Sequence, residues 1–225
     1  MLCCILGESG VGKDTVLRRL IFKSIEEKRS PEYKRFMLLT DRPKRYEEHD
    51  GEEYFFYSSR YLNYLKRRNT NVAEYREYKV NSGDIWSYVT RLNSLINALR
   101  STDIYLVPCV PEQLTSYLNI ANKENLYNRI TAVVLTIDDD TRMNRALQRC
   151  TTPDEVSETM RRQSYDRSSM KFMTIPDDMK IENYDIDKCA NDVDTYINKA
   201  FSENKNVYVE CADIRKDYLD LYTAK

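Results

Sequence analysis

The sequence lacks an excess of charge of either sign. Its 35 Lys and Arg residues are matched by 36 Asp and Glu residues, which gives a formal net charge of −1. A protein that coats DNA or an anionic membrane by bulk charge needs a clear positive excess. The balance therefore argues against nucleic acid and membrane partners, and an anionic ligand must be held by local clusters of arginine and lysine.

Long apolar runs are also missing. No segment approaches the roughly 20 apolar residues that a membrane-spanning helix needs. The short run LCCIL, which begins at Leu2, has no positively charged segment ahead of it, so we interpret it as a buried strand and not as a signal peptide. Hydrophobic residues make up 41% and charged residues 32% of the chain, a composition that predicts a globular protein in the cytoplasm.

The cysteines form no recognisable metal or disulfide pattern. The six lie at positions 3, 4, 109, 150, 189 and 211, without a CxxC pair and with His49 as the one histidine of the chain. Zinc sites and disulfide frameworks need closer or more regular spacing. We therefore expect reduced and mostly buried thiols.

Strands alternate with helices along most of the chain. LCCILG predicts a strand that ends in a glycine loop, and KDTVLRRLIFKSIEEK predicts the helix after it. The polar stretch RSPEYKR closes this unit, FMLLTDRPKR is typical of a strand entering a basic turn, and YVTRLNSLINALRS of an amphipathic helix. RITAVVLTI is the best candidate for a central strand. The alternation predicts an α/β protein whose parallel sheet is flanked by helices, with insertions.

The loop after the first predicted strand has the pattern of a phosphate-binding loop. It fits G-x-x-x-x-G-K through Gly7, Glu8, Ser9, Gly10, Val11, Gly12 and Lys13. Glycines let the backbone N–H groups wrap around an anion, the following helix N-terminus adds partial positive charge, and the lysine reaches the β- and γ-phosphates. A strand before the loop and a helix after it are the context that supports such a match.

One residue of this loop region departs from the usual pattern. Asp14 follows the lysine, where a serine or threonine hydroxyl normally holds the magnesium of a bound nucleotide. A carboxylate is itself a good Mg²⁺ ligand, and Thr15 still offers a hydroxyl group. We therefore expect Asp14 and Thr15 to be the metal-binding residues.

Several motifs in series resemble the guanylate kinase family. They are GESGVGKDTV, TDRPKRYEEHDGEEYFF, EYREY, RALQRCTTPDEV and NDVD, the last taken as the end of the final core strand. The resemblance implies a P-loop kinase fold with inserted nucleoside-monophosphate-binding and lid segments. It divides the chain into a core of residues 1–32, 96–140 and 167–225, a monophosphate-binding insertion of 33–95, and a charged helical lid of 141–166.

The resemblance also assigns residues to the acceptor nucleotide. Arg42 and Arg45 match two arginines that hold the acceptor phosphate, and Tyr54 matches a tyrosine that hydrogen-bonds it. Arginine forks suit phosphate oxygens because they can bind two of them at once. Glu74 matches the glutamate that accepts hydrogen bonds from the two adjacent donors of guanine.

The lid motif supplies arginines for the transferred phosphate. Arg145 and Arg149 keep the four-residue spacing of the family, and Arg149 matches the arginine that reaches the transferring phosphates. A second lid arginine corresponds to Arg161 or Arg162, of which helical phase favours Arg161. The resemblance thus implies that Lys13, Arg149 and Arg161 are catalytic and that Arg145 contacts ATP.

The match is weakest where the family reads the base. Leu38 replaces a serine, Cys109 replaces an aspartate, and the second phosphate tyrosine corresponds to Tyr88 or to Trp86. The phosphate-handling half of the site therefore predicts a nucleoside monophosphate kinase more firmly than the base-reading half predicts GMP.

Taken together, the sequence predicts a kinase that transfers the γ-phosphate of ATP, with Mg²⁺, to GMP, dGMP or a related nucleoside monophosphate. The alternatives are a P-loop kinase of another small phosphorylated acceptor and a non-catalytic guanylate-kinase-like module that binds proteins. Such a protein is expected to be a monomer or a homodimer. In the C-terminal segment, one predicted helical face carries Ile214, Tyr218, Leu221 and Tyr222.

Overall fold

The computed structural model describes residues 1–45, 48–150, 152–171 and 176–203. The helical face predicted for the C-terminal segment lies outside these residues. The strands are β1 (Leu2–Leu6), β2 (Tyr33–Arg35), β3 (Leu39–Thr40), β4 (Phe55–Phe56), β5 (Val72–Lys79), β6 (Ile85–Arg91), β7 (Ile104–Pro108), β8 (Ile130–Thr136) and β9 (Lys180–Glu182). The α-helices are α1 (Lys13–Glu26), α2 (Ser59–Arg68), α3 (Leu92–Arg100), α4 (Pro111–Lys123), α5 (Asp139–Leu147), α6 (Pro153–Lys171) and α7 (Ile186–Ser202).

A parallel sheet of five strands forms the centre of the fold, in the order β2-β7-β1-β8-β9. β1 is its middle strand, and all five of its residues are buried. A strand covered on both faces has no polar side, which explains the unbroken apolar run LCCIL. The strand predicted there is confirmed, and the strand predicted at RITAVVLTI is β8, an interior strand one place from the centre.

Helices cover both faces of this sheet. On one face Cys3 packs in a cluster with Leu17 of α1 and Val193 of α7. On the other face Cys4 packs with Leu99 of α3 and with α4. Neighbouring residues of a strand point to opposite faces, so the two adjacent cysteines belong to two separate layers of the core. The free thiols of Cys3, Cys4, Cys109 and Cys189 are buried, as predicted.

A buried polar cluster joins α1, β2 and α7. The carboxylate of Asp194 accepts hydrogen bonds from both terminal nitrogens of Arg29 at 2.5 and 2.7 Å. It also accepts hydrogen bonds from the hydroxyl group of Tyr33 and, at 2.9 Å, from the side-chain amide of Asn198. Burial alone would raise the pKa of Asp194, but the hydrogen bonds from Arg29 and Tyr33 lower it overall. The cluster therefore fastens the segment after α1 to α7.

A second sheet of four strands, in the order β4-β3-β6-β5, is inserted between β2 and β7. Its largest unit is the antiparallel pair of β5 and β6, in which Tyr78 lies opposite Trp86. The side chain of Ser58 caps α2 by accepting a hydrogen bond from the N–H of Tyr61. The predicted boundaries of the core, the insertion and the lid stay a prediction.

Three sequence expectations about local structure are wrong. Tyr33–Arg35, within the polar stretch taken as the end of the first unit, forms the edge strand β2. The segment YVTR belongs to β6 and not to the following helix, because the sheet pairs it with β5 and buries Val89 and Thr90. The segment NDVD lies inside α7, whereas Asn183 directly follows β9.

The predicted helical lid consists of α5 and α6. The break predicted at CTTPDE lies between them. α5 begins after Asp138, whose side chain accepts a hydrogen bond from the N–H of Thr141. None of the helices in the described ranges combines the length and the apolar character that crossing a membrane requires.

Candidate active site

The loop between β1 and α1 has a backbone that only glycine adopts easily. Gly10 and Gly12 have φ angles of 92° and 96°, in the left-handed region. A Cβ atom at Gly10 would lie 2.4 Å from the carbonyl oxygen of Arg142, and one at Gly12 would lie 2.4 Å from Nδ2 of Asn183. These glycines therefore let α5 and the end of β9 approach the loop closely.

Side chains from distant parts of the chain hold this loop in shape. The amide of Asn183 donates to the carbonyl oxygen of Val11 at 2.7 Å. Arg142 and Gln163 donate to the carbonyl oxygen of Ser9 at 3.3 and 3.0 Å. The loop is thus braced from three later elements, which fixes the direction of its N–H groups.

Lys13 lies at the junction of the loop and α1. Its ammonium group donates to the carbonyl oxygens of Gly7 and Glu8 at 2.6 and 3.1 Å. Burial lowers the pKa of Lys13, while the neighbouring carboxylates of Asp166 and Asp14 oppose that shift. Lys13 therefore lies at the loop, where the carboxylates of Asp166 and Asp14 offset only part of the effect of burial.

A carboxylate oxygen already uses one N–H group of this loop. Oδ2 of Asp166, on α6, accepts the hydrogen bond of the Ser9 N–H at 2.7 Å. Burial raises the pKa of Asp166, and nearby Lys13 opposes that shift. The loop thus binds an anionic oxygen, which fits the phosphate groups of a nucleotide such as ATP.

The residue expected to bind magnesium has a different partner here. The carboxylate of Asp14 forms an ion pair of 2.6 Å with Arg35 of β2. Desolvation would raise the pKa of Asp14, but Arg35 and Lys13 lower it overall, so the group is a carboxylate at neutral pH. An ionised Asp14 and the exposed hydroxyl-bearing Thr15 are suitable oxygen ligands for Mg²⁺, with Arg35 competing for the carboxylate.

The basic turn after β3 places one buried and one exposed arginine. Arg42 is 4% exposed and donates to both carboxylate oxygens of Glu48 at 2.8 Å. Its guanidinium carbon lies 5.5 Å from the ring centroid of Tyr54 and 5.8 Å from that of Phe56. Arg45 is exposed, 3.7 Å from Glu48. Glu48 and the two rings therefore fix the position of Arg42.

Two tyrosines lie beside this basic turn. The ring centroids of Tyr54 and Tyr88 are 5.7 Å apart. Burial raises the pKa of Tyr54, which keeps its hydroxyl group protonated and able to donate. Trp86, the alternative to Tyr88, packs instead against the guanidinium of Arg162 at 5.2 Å.

Glu74, expected to read the base, is covered by another residue. Its carboxylate is buried, and Oε1 lies 2.7 Å from Nε of Arg76. Burial raises the pKa of Glu74, and Arg76 opposes that shift. Arg76 lines the cavity described below, whereas Glu74 does not. The charged group that this strand presents to the cavity is therefore a guanidinium.

The four lid arginines named from the sequence separate into two groups. Arg149, Arg161 and Arg162 line the cavity, and the last two form ion pairs with Glu158 at 2.7 and 3.0 Å. Arg145 does not line it and donates to the carbonyl oxygen of Asn183 at 2.8 Å. Arg145 thus braces the segment after β9.

One cavity of about 210 Å³ collects residues from the loop, the second sheet and the lid. The residues expected from the sequence that line it are Ser9, Gly10, Gly12, Lys13, Asp14, Thr15, Arg42, Arg45, Tyr54, Tyr88, Arg149 and Arg161. Those that do not line it are Gly7, Glu8, Val11, Glu74 and Arg145. Its cations are Lys13, Arg42, Arg45, Arg76, Arg149, Arg161 and Arg162, and its carboxylates are Asp14 and Asp166. The cavity therefore suits a ligand with several negative charges.

Three polar residues of this cavity that the sequence interpretation missed are Arg76, Asp166 and Gln113. Arg76 follows Glu74 by two positions, so the period of a strand places both on one face. Asp166 is four positions after Arg162, the spacing that places residues on one side of a helix. Gln113 lies in the first turn of α4 and carries no pattern that marks it. The first two could therefore have been found from periodicity, and the third could not.

Comparison with known proteins finds similarity at the level of the fold. No protein-family model matches the sequence, and a search of curated proteins finds no match. A guanylate kinase from Anaplasma phagocytophilum is 14% identical with a TM-score of 0.56, over 100% of this chain and 96% of that chain. A gluconokinase from Sinorhizobium meliloti 1021 is 11% identical with a TM-score of 0.43, over 89% of this chain and 93% of that chain. The predicted fold class, a P-loop kinase fold with a parallel sheet flanked by helices, is confirmed.

Proposed function

We propose that this protein is a nucleoside monophosphate kinase that transfers the γ-phosphate of ATP to its acceptor. The observation that carries the proposal is that Lys13 of the loop, Arg42 near the second sheet and Arg149 of the lid line the same cavity. Phosphoryl transfer between two phosphates needs in-line positioning and charge stabilisation more than it needs a nucleophile supplied by the protein. A cavity with cations on three sides is suited to that task.

Each part of the cavity has a distinct role in this proposal. The loop N–H groups and Lys13 would hold the β- and γ-phosphates of ATP, and Asp14 with Thr15 would hold Mg²⁺. When bound, ATP supplies the phosphoryl group and Mg²⁺ neutralises part of the phosphate charge. Arg42, Arg45, Tyr54 and Tyr88 would orient the acceptor phosphate.

The lid residues would act on the transferred group and on water. Arg149 and Arg161 lie on the cavity side of the lid, where they would stabilise the charge that develops on the phosphoryl oxygens. The lid contacts the β5–β6 pair through a hydrogen bond of 2.8 Å from Asn81 to Ser157 and through the rings of Tyr78 and Tyr165, whose centroids are 5.4 Å apart. A closed lid excludes water, so that the acceptor and not water receives the phosphoryl group.

The proposed activity is tested with purified protein, ATP, Mg²⁺ and a panel of ribo- and deoxynucleoside monophosphates. We expect ADP to form only when a suitable monophosphate is present. ADP formation at the same rate without any monophosphate would indicate an ATPase. A protein that binds ATP but phosphorylates none of the panel would contradict the proposal and favour another phosphorylated acceptor or a binding module.

Arg42→Ala is expected to weaken the binding of the acceptor monophosphate more than the binding of ATP. The variant removes a guanidinium that the proposal places on the acceptor phosphate, so the KM for the monophosphate should rise by about 10- to 100-fold with a much smaller change in the KM for ATP. Initial-rate kinetics with each substrate varied in turn measure both constants. Arg60→Ala, at an exposed arginine of α2, is the matched control. An equal rise in both KM values would contradict the acceptor role.

Asp166→Asn is expected to tighten ATP binding. In the structure the Asp166 carboxylate takes the Ser9 N–H that the proposal gives to a phosphate oxygen, and its negative charge opposes an incoming phosphate. The amide keeps the shape without the charge, so the Kd for ATP should fall by about 3- to 10-fold. Isothermal titration calorimetry measures this, with Asp154→Asn, exposed on the same helix, as the control. Weaker binding in Asp166→Asn would show that the carboxylate assists the nucleotide.

A further inference from the structure

One wall of the cavity is formed by β5, the first turn of α4, the residue after β7 and the residue before β3. It presents Arg76, Gln113, Leu38 and Cys109. Leu38 and the thiol of Cys109, which donates to the carbonyl oxygen of Val110 at 3.3 Å, provide an apolar surface. The strong hydrogen-bonding groups of this wall are therefore the guanidinium of Arg76 and the amide of Gln113.

The guanidinium of Arg76 is held in a fixed orientation. Its Nε atom is 2.7 Å from Oε1 of Glu74, and the side chain is 14% exposed. Its carbon Cζ lies 6.0 Å from the ring centroid of Tyr78 and 5.9 Å from that of Tyr88. Because the ion pair with Glu74 is made at Nε, the terminal amino groups remain as donors for a ligand.

The amide of Gln113 is likewise oriented by its neighbours. Its Nε2 donates to the hydroxyl oxygen of Tyr117, whose hydroxyl group also forms a 2.7 Å hydrogen bond with Thr90. Gln113 is fully buried, and its Oε1 has no hydrogen-bond partner among the described residues. A buried acceptor without a partner is unfavourable, so a ligand donor that reaches it would be strongly selected.

We propose, on the basis of the proposed function, that the acceptor is a uracil or thymine nucleoside monophosphate, with Arg76 donating to a keto oxygen of the base and Gln113 accepting from its N3–H. These bases carry one N–H between two keto oxygens. One donor group and one acceptor atom therefore satisfy N3–H and one neighbouring oxygen.

Guanine matches this wall less well. It presents the N1–H and the N2 amino group side by side, two donors that need two acceptors. The carboxylate of Glu74, which could accept both, is paired with Arg76 and does not line the cavity. The keto oxygen O6 and the N1–H of guanine could pair with Arg76 and Gln113 as a pyrimidine does, but its N2 amino group would lack the carboxylate that Glu74 could have offered. The wall therefore favours a base that has no amino group beside its N–H.

The decisive measurement compares kcat/KM for dTMP, dUMP and UMP with kcat/KM for dGMP and GMP, with AMP and CMP included. We expect the best uracil or thymine substrate to exceed every other base by about tenfold or more. A preference for guanine, adenine or cytosine would overturn this inference and leave the kinase proposal intact. Failure of all monophosphates would instead contradict the kinase proposal, and the inference with it.

A substrate analogue tests the N3–H contact without altering the protein. N3-methyl-dTMP lacks this donor, and its kcat/KM is expected to be about 100-fold lower than that of dTMP. Equal values for the two substrates would exclude Gln113 as the acceptor of an N3–H.

Gln113→Glu tests the same wall from the protein side. The new carboxylate offers two acceptor oxygens and pairs with Arg76, so the ratio of kcat/KM for dTMP to that for dGMP should fall by about tenfold or more. Asn119→Asp adds the same charge on the exposed side of α4 and should leave the ratio unchanged. An unchanged ratio in Gln113→Glu, with a melting temperature like that of the wild type, would overturn the assignment.

Discussion

Lys13→Ala is expected to abolish phosphoryl transfer from ATP to every nucleoside monophosphate. Lys13 lines the cavity beside the loop. Among the residues that the structure describes, no other lysine lines this cavity. Removing one group that stabilises transition-state charge lowers kcat by about 100- to 1,000-fold. Three of the cavity arginines, Arg42, Arg161 and Arg162, are already directed by Glu48 and Glu158 and therefore cannot take its place.

The measurement is ADP formation in the presence of the preferred acceptor, with ATP binding recorded separately by calorimetry. Lys188→Ala, at an exposed lysine in the first turn of α7, is the matched control and should keep full activity. Circular dichroism and a thermal melt establish that the Lys13 variant is folded. Activity within a few-fold of the wild type in a folded Lys13→Ala protein would refute the kinase assignment.

Asp194→Ala is expected to have the largest effect on stability. The variant leaves the partly buried guanidinium of Arg29 and the hydroxyl group of Tyr33 without their shared acceptor. Breaking one side of a buried ion pair costs about 3 to 5 kcal/mol. Since the Arg29 side chain is 27% exposed, we expect the lower end, about 3 kcal/mol, and a melting temperature lower by about 6 to 12 °C.

The lowered pKa of Asp194 predicts that the stability of the protein depends on pH. The pKa of Asp194 is lowered in the folded state, so its stabilising contribution is present above the ordinary aspartate pKa of about 4. It is lost as the pH falls through the lower, folded-state pKa. Thermal melts between about pH 2 and 7 should show this loss in the wild type and a smaller one in Asp194→Ala. Asp192→Ala, exposed on the same helix, should follow the wild type, and an equally stable Asp194→Ala protein would contradict the structural role.

The parts of the fold that could be predicted are those in which local sequence and tertiary structure agree. The apolar run of β1 and the glycine pattern after it determine a buried strand and a tight loop on their own. β2 has only three residues and no apolar pattern, and it becomes a strand because β7 offers it a pairing edge. The segment from Tyr88 to Arg91 is likewise a strand because it pairs with β5, although the apolar residues of YVTRLNSLINALRS have helical spacing.

The candidate site divides in a similar way. Arg42 and Arg149 could be located because each lies in a distinctive segment, and the cavity contains both. Spacing could not show that Arg35 pairs with Asp14 or that Arg76 covers Glu74, since both pairs depend on how two neighbouring charged groups meet in space. Sequence similarity gave a wrong prediction at NDVD, the predicted end of the final core strand. The asparagine that follows β9 and hydrogen-bonds the loop is Asn183.

The brace between Asn183 and Val11 also bears on how the protein matures. The two residues are 172 positions apart, so this hydrogen bond cannot form until the segment between them has been synthesised. At a synthesis rate of about 5 to 20 residues per second, that interval is on the order of 10 to 30 s. During this time the loop lacks the hydrogen bond from Asn183 that helps to fix the direction of its N–H groups.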